Sequence, residues 1–498
     1  MRDYLTICVN GRPKEVRGED TFLTLSDFLR INCRLTGTKV VCSEGDCGAC
    51  AAFVGRVRGE TIQYSAVDSC IQLMCQLDGT HIVTIEGLSE PGKLNPIQQS
   101  MVDCHGAQCG FCTPGFVVSL YDILRDGKSV DANAVRRGLT GNLCRCTGYD
   151  SIIRAAMKTD RAAMAGLEKL YPSANIIGSL KAASDQGVQI VAGWRKFLKP
   201  ADVKQALQFR AENPDCTIVA GATDLGVQLN KRTRTIQSVM SLSALAELRS
   251  VTIAPTGLRV GAAATLTELQ AAAQTSLPEL ARFLEWFGSP LIRNAGTLAG
   301  NIVNGSPIAD TVPALFVLNA TVELASSAGV RQVDINRFYT GYRKTVLEPG
   351  ELVTAIEIPI PADDEYFRLY KLSKRKDLDI SSFGAAIWMR RTGRRIDDVR
   401  IAYGGVAPTV IRMPRTEAIL RGNEITHELF ESAAETARRE VSPISDVRGS
   451  EEYRRTLARN ILLKFWNDSG GDEAEAPAAP PSGGVFQPAL ARDPRGDV

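Results

Sequence analysis

The stretch "VCSEGDCGAC", residues 41–50, sets Cys42, Cys47 and Cys50 in one short loop among Gly45, Gly48 and Ala49, and Cys70 follows after nineteen residues. C-x4-C-x2-C…C is the plant-type [2Fe–2S] spacing. An iron–sulfur rhomb needs four thiolates converging from a loop that wraps around it. Small residues let the backbone approach closely and aim N–H groups at the sulfurs, which stabilises the cluster and tunes its potential. Zinc prefers paired short spacings, and x4 followed by x2 in one glycine-rich loop fits it poorly. Cys75 competes with Cys70 for the fourth position, and spacing alone does not decide between them.

The flanks of this loop predict a small β-rich unit. "YLTICV" and "KEVRG" border "NGRP", whose Asn10-Gly11 favours a tight hairpin turn. "TLSDFLRINCRL" (24–35) has helical spacing of Leu25, Phe28, Leu29 and Leu35, and "AAFVGRV" and "HIVTIEGL" read as strands. Residues 91–167 then switch to a helical period. "NPIQQSMVDCHG" is one helix, and "TPGFVVSLYDILRDG" is a second, with Thr113 as N-cap, Pro114 at N1 and Gly127 as its stop. "DANAVRRGLTGNLCRC" and "YDSIIRAAMKTDRAAMAGLEKL" complete four helices.

A second thiol group lies at the ends of those helices: Cys109-x2-Cys112 and Cys144-x-Cys146. By spacing alone it could hold zinc, a [2Fe–2S] cluster or redox-active thiols. Cys112 immediately precedes a predicted helix N-terminus, where the dipole favours an anionic thiolate cluster. Four cysteines are already at hand, so His105 reads as a helix-end or packing residue. Cys8, Cys33, Cys104 and Cys216 read as small buried apolar residues.

The chain has 498 residues, which suggests about three domains. Apolar residues at 44% and charged residues at 23% describe an ordinary globular protein, and a net charge of +2 does not point to nucleic acid or a membrane surface. The first residues lack the basic-then-apolar pattern of a secretory signal, and no apolar run is long enough to span a bilayer. The expected location is the cytoplasm. That compartment keeps thiols reduced, and twelve of the 13 cysteines lie in residues 1–146, so the clustering points to metal rather than disulfides.

Residues 168–195 carry little periodicity and read as a linker, followed by alternating strands and helices over 196–360 and a last α+β portion over 361–467. Residues 468–498, rich in Ala, Pro and Gly, read as a disordered tail. Two glycine-rich loops stand out: "VAGATDLG" (219–226) and "AGTLAGNIVNGSPIAD" (295–310). Such loops offer backbone N–H groups to phosphate. Neither carries G-x-G-x-x-G or a P-loop ending. One such loop alone would read as a turn.

"EGDCGAC", "HGAQCGFCTPGF" and "GNLCRCTGY" resemble the two-cluster region of the molybdenum hydroxylases, the xanthine dehydrogenase and aldehyde oxidase family. Further on, "IVAGATDLG", "IRNAGTLAGNIVNGSPIAD", "YRKTVLEPGE" and "YKLSKRKDLDIS" resemble the family's FAD domain, in the form found in xanthine dehydrogenases. The resemblance implies an α+β multidomain fold. A β-grasp plant-type ferredoxin domain (1–90) precedes a four-helix [2Fe–2S] domain (91–167), and an α+β FAD-binding domain is followed by a C-terminal α+β subdomain. It assigns Cys42, Cys47, Cys50 and Cys70 to one cluster, leaving Cys75 free, and Cys109, Cys112, Cys144 and Cys146 to the other. Gln108 matches the glutamine that touches the pterin. Ile218, Val219, Ala220, Gly221, Ala222, Thr223, Asp224 and Leu225 form the implied pyrophosphate loop. Phe287, Thr297, Asn301, Ser306, Asp310, Val353 and Lys371 surround the flavin.

The loop "KRKDLDI" (374–380) matches a mobile segment that helps decide between NAD and oxygen; on its own it reads as a solvated charged loop. The stretch after the flavin region is far smaller than the family's molybdenum domains. The resemblance therefore implies a molybdopterin site on a large partner subunit, in pairs of heterodimers, and no catalytic residue of purine hydroxylation in this chain. Electrons would pass from molybdenum through the cluster of the helical domain, then the β-grasp cluster, to FAD and NAD+. The partner's substrate could also be another N-heterocycle or an aldehyde. A stand-alone iron–sulfur flavoprotein reductase without molybdenum is the alternative of a different class.

Overall fold

The computed structural model describes residues 1–90, 92–125, 130–255 and 257–471. Gly127 and nearly all of the 468–498 segment lie outside them.

Leu5–Val9 and Arg12–Val16 pair antiparallel through a turn in which Asn10 and Gly11 have φ of 46° and 76°. Those left-handed angles match the twist of the strands, and Asn-Gly tolerates them best. Leu5–Val9 also pairs, in parallel, with Thr80–Val83, which borders Ala51–Arg58 and then Thr61–Asp68. The sheet order is second, first, fifth, third, fourth, the β-grasp arrangement. Across it lies the turn Leu25–Asp27, capped by the Thr24 hydroxyl accepting from the Asp27 amide at 3.1 Å and continued to Asn32 as a wider helix. Leu25, Phe28 and Leu29 bury against Leu5, Ile7 and Ile82. The cysteine loop therefore hangs between a helix end and the start of a buried strand.

Four helices follow: Pro96–Asp103, Thr113–Leu124, Ala132–Gly138 and Asp150–Lys158. The second starts one residue earlier than the sequence suggests. Cys112 is its N-cap, and the Thr113 hydroxyl is buried with no partner among the described residues. The fourth is shorter than expected. Asp160 accepts from the amides of Ala162 and Ala163 at 3.1 and 3.3 Å, so local side-chain bonds compete with the helix and end it; one turn resumes at Leu167–Leu170.

The segment 168–195 is no slack linker. It forms the helix Ile177–Ser184 and the strand Val188–Ala192. That strand opens a four-stranded sheet with Arg195–Lys199, Ser238–Ser241 and Thr217–Val219. A second, antiparallel sheet joins Val251–Ala254, Gly257–Gly261, Leu352–Ile358, Thr321–Ser326 and Gly329–Asp334. Its core takes in the intervening helices through Leu269, Leu280, Ile302 and Phe316. The last unit is an antiparallel meander, Tyr366–Leu372, Phe383–Thr392 and Arg395–Gly404, closed by Ile411–Arg412 and covered by His427–Glu440 and Glu451–Asp468. Among the described residues, no helix is long and apolar enough to cross a membrane.

Candidate functional site

The loop after Asn32 folds its thiols together. Cys42 lies within bonding reach of Cys47 and Cys70, and Cys50 within reach of Cys70. The Glu44 amide points at the Cys42 sulfur at 3.4 Å, and the amides of Asp46 and Ala49 point at Cys42 and Cys47. This is the shielding by backbone that the small residues predict. Gly48, at φ 66°, passes so close to the next unit that a Cβ there would stand 2.4 Å from the Gly141 carbonyl. The neighbouring Cys47 and Cys70 thiols hold Cys42 far below the usual thiol range, while Cys42 and Cys50 push Cys70 far above it. Cys75 faces the core instead, and burial pushes it up to about 12. Asp68, invisible to motif reading, is buried with Oδ1 3.5 Å from the Cys50 sulfur, and burial, then Cys50, holds its carboxyl well above the usual range.

The second group stands in two pairs. The sulfurs of Cys109 and Cys146 are 3.7 Å apart, and Cys112 interacts with Cys144. Thr147 Oγ1 lies 3.1 Å from the Cys144 sulfur, and the Tyr149 hydroxyl accepts from the Cys144 amide at 3.1 Å. Gln108 donates to the Cys146 carbonyl at 3.1 Å. Cys109 and Cys146 are exposed, as are Phe111, Leu143 and Tyr149 beside them. His105 ends the first helix at φ 54°, while the Gly106 amide returns to Met101 O at 2.8 Å. That is a helix stop, as the sequence suggests.

The two glycine-rich loops meet around a cavity of about 540 Å3. Ile218 through Leu225 line it, with Phe287, Thr297, Asn301 and Val353. The backbone N–H groups of Ala222, Thr223 and Asp224 find no acceptor among the described residues. Such orphan donors at a cavity wall suit phosphate oxygens. Asp224 itself is exposed and accepts from Gln228. Ser306, Asp310 and Lys371 do not line this cavity. Lys371 Nζ donates to Asp310 Oδ2 at 2.5 Å, and the Ser381 hydroxyl to Asp310 Oδ1 at 2.5 Å, so that carboxylate is engaged elsewhere. Arg210, Arg234 and Arg343 line the cavity and escaped the sequence reading. They come from three separate segments, and no local motif marks them. In the 374–380 loop, Arg375 pairs with Asp379 at 3.4 Å, and Lys376 lies 5.2 Å above the Trp286 ring.

The three sites are joined by short contacts. The Leu143 amide donates to the Cys47 carbonyl at 3.0 Å, linking the second thiol group to the first loop. On its other side, Asn230 Nδ2 donates to the carbonyls of Ser43 and Cys70 at 2.9 and 2.8 Å. Asn230 ends the helix Leu225–Asn230 that leaves the glycine-rich loop 218–225. Lys231 pairs with Glu44 at 2.8 Å across the same seam.

Residues 84–157 match the [2Fe-2S] binding domain family, 191–361 the FAD binding domain in molybdopterin dehydrogenase, and 368–469 the CO dehydrogenase flavoprotein C-terminal domain. The xanthine dehydrogenase of Drosophila subobscura is 30% identical in an alignment 521 residues long that covers 93% of this chain and 39% of that protein. The xanthine dehydrogenase/oxidase of Gallus gallus is 28% identical in an alignment 540 residues long that covers 93% of this chain and 40% of that one. The chain thus spans 39% and 40% of the length of these relatives. Among solved structures, reconstituted CO dehydrogenase from Oligotropha carboxidovorans aligns at a TM-score of 0.53 and 26% identity, over 58% of this chain and 100% of the other. Quinoline 2-oxidoreductase from Pseudomonas putida 86 aligns at 0.50 and 31%, over 53% and 93%. Thiol pairs, a cavity walled by glycine-rich loops, and these relatives agree, and the chain belongs to the molybdenum hydroxylase family as its iron–sulfur and FAD-binding, electron-transferring part.

Proposed function

We propose that this chain is the electron conduit of a cytoplasmic, NAD-dependent xanthine dehydrogenase, serving a molybdopterin-binding large subunit in a heterotetramer. When bound, two [2Fe–2S] clusters would carry single electrons and FAD would collect them in pairs for NAD+, as hypoxanthine and xanthine become urate at the partner's molybdenum. Cys42, Cys47, Cys50 and Cys70 would hold one cluster, and Cys109, Cys112, Cys144 and Cys146 the other. Ile218–Leu225, Phe287, Thr297, Asn301 and Val353 would cradle the flavin, with Ser306, Asp310 and Lys371 in an outer polar group. Gln108 would face the pterin, and exposed Phe111, Leu143 and Tyr149 supply apolar surface for a partner to cover.

One observation carries the order. The first cysteine loop touches both neighbours, through Leu143 to Cys47 on one side and Asn230 to Ser43 and Cys70 on the other. It is the middle station of the three. The test is Cys144→Ser in the purified complex. NADH formation from xanthine should stop, while flavin reduction by added NADH continues. Loss of both activities at normal FAD content would refute the order. A chain purified with iron and FAD, monomeric and without molybdenum, would instead favour a stand-alone reductase.

A further inference from the structure

A second cavity, of about 170 Å3, lies at the seam between the first sheet and the flavin unit. Side chains alternate along a strand, so Val54, Arg56 and Arg58 share a face. The register sets Arg56 opposite Gln63 and Val54 opposite Ser65, and these residues form one wall. Arg249 and Glu268 come from the flavin unit.

The charges in this cavity do not balance. Glu268 is the acidic residue of the lining, and its Oε1 accepts from Arg58 Nη2 at 2.7 Å and Arg249 Nη2 at 3.0 Å. Its Oε2 is taken by the Thr265 amide at 2.8 Å and hydroxyl at 3.1 Å. Among the described residues, Arg56 reaches only the Gln76 carbonyl, at 3.4 and 3.5 Å. Arg249 Nε is buried with no acceptor among the described residues. Burial, then Arg249 and Arg58, pushes Arg56 down to about 9, the direction an unbalanced cationic group takes. Three guanidiniums thus share the cavity with one carboxylate, which two of them and Thr265 already saturate.

We propose that this cavity binds one small free oxyanion of the phosphate class, held by Arg56, Arg58 and Arg249. Planar guanidinium forks match the paired oxygens of such an anion. The cavity is too small for a nucleotide. It shares Ala220, Gly221 and Thr297 with the flavin cavity. Gln76 Nε2 donates to the Ala220 carbonyl at 2.7 Å and Gln72 Nε2 to the Gly221 carbonyl at 3.3 Å. An anion here braces the wall between the first cysteine loop's sheet and the flavin loop. The flavin cavity has its own Arg210, Arg234 and Arg343, so the two sets of cations serve different ligands.

The experiment is titration of the FAD-loaded full chain with inorganic phosphate at constant ionic strength, read by calorimetry. One saturable phosphate per chain is expected. Arg56→Gln should weaken it by about tenfold or more, the worth of a charge-assisted contact. Glu268→Gln keeps the acceptor for Thr265 and removes the competing negative charge, so it should tighten binding. If Arg56→Gln fails to fold, the sign of the Glu268→Gln effect decides alone. Absence of saturable binding, or binding indifferent to both changes, overturns the site. Binding that appears only after FAD is stripped, and that FAD displaces, also overturns it, since the arginines would then serve the flavin's own diphosphate.

Discussion

His81 is a buried base whose charge state is fixed by its neighbours. Its ring is fully buried, with Nε2 accepting from the Gly11 amide at 3.1 Å and Nδ1 2.7 Å from the Tyr64 hydroxyl. A neutral ring satisfies both: one nitrogen accepts and the other donates. Burial pushes the imidazole down to about 4 from 6.5. Below pH 6.5 the unfolded chain binds a proton that the folded ring refuses, so stability falls as pH drops from 6.5 to 4. The full difference amounts to about 3 kcal/mol. The measurement is hydrogen-exchange protection of the strand Leu5–Val9, corrected for intrinsic rates. It should fall over that window, and His81→Gln should remove that part of the slope. A native profile that is flat between pH 6.5 and 4 would contradict a neutral buried ring. No sequence pattern gave this role to His81, whereas the cysteines announced theirs. Thiol chemistry repeats at fixed local spacing, but a lone histidine is defined by what folds around it. The same holds for Arg56, Arg58 and Arg249, which acquire meaning only once two units close on them.

At the scale of elements, local chemistry was legible and pairing was not. The Asn10-Gly11 turn and the helix after Thr24 follow from their own residues. Thr61–Asp68 was missed as a strand, although it pairs along its whole length with Ala51–Arg58. Its alternation is broken by burial of Ala66, Val67 and Asp68 together, where the strand runs under the cysteine loop. The helix Leu225–Asn230 shows how tightly such elements are set. A Cβ on Gly226 would stand 2.4 Å from the Ile71 carbonyl, beside Cys70. Gly226→Ala must therefore push the helix off the cysteine loop, an overpacking strain of about 1–3 kcal/mol. The flavin loop is tied to that helix, so FAD per chain should drop by more than iron per chain. Equal retention of both would show that the seam yields freely.

The whole molecule is held in line by a buried charge that belongs to no cofactor site. Lys199 ends a strand of the flavin unit, and its ammonium is 1% exposed. It donates to Asp78 Oδ2 at 2.7 Å in the first unit, and to the carbonyls of Ala183 and Ser184 at 2.8 and 2.9 Å at the end of the helix Ile177–Ser184. Asp78 also accepts from Arg2 at 2.8 Å and from the Thr6 amide at 2.8 Å. This is why residues 168–195 read as a linker. Their order comes from distant partners, not from a period in their own sequence. Burial lowers the Lys199 ammonium despite the attraction of Asp78, so the ion is kept only because all three acceptors converge on it. Lys199→Met removes the shared donor and leaves the Ser184 carbonyl and half of the Asp78 pairing unmet, while the Ala183 carbonyl keeps Arg2 Nη2 at 2.6 Å. Loss of one partner of such a pair costs about 3–5 kcal/mol. The cost should fall on the seam rather than on the cysteine loop. Hydrogen exchange across Ile177–Ser184 should rise sharply while iron content stays at the level of the native chain. Unchanged exchange there would mean that the β-grasp and flavin units are aligned by their sheets alone.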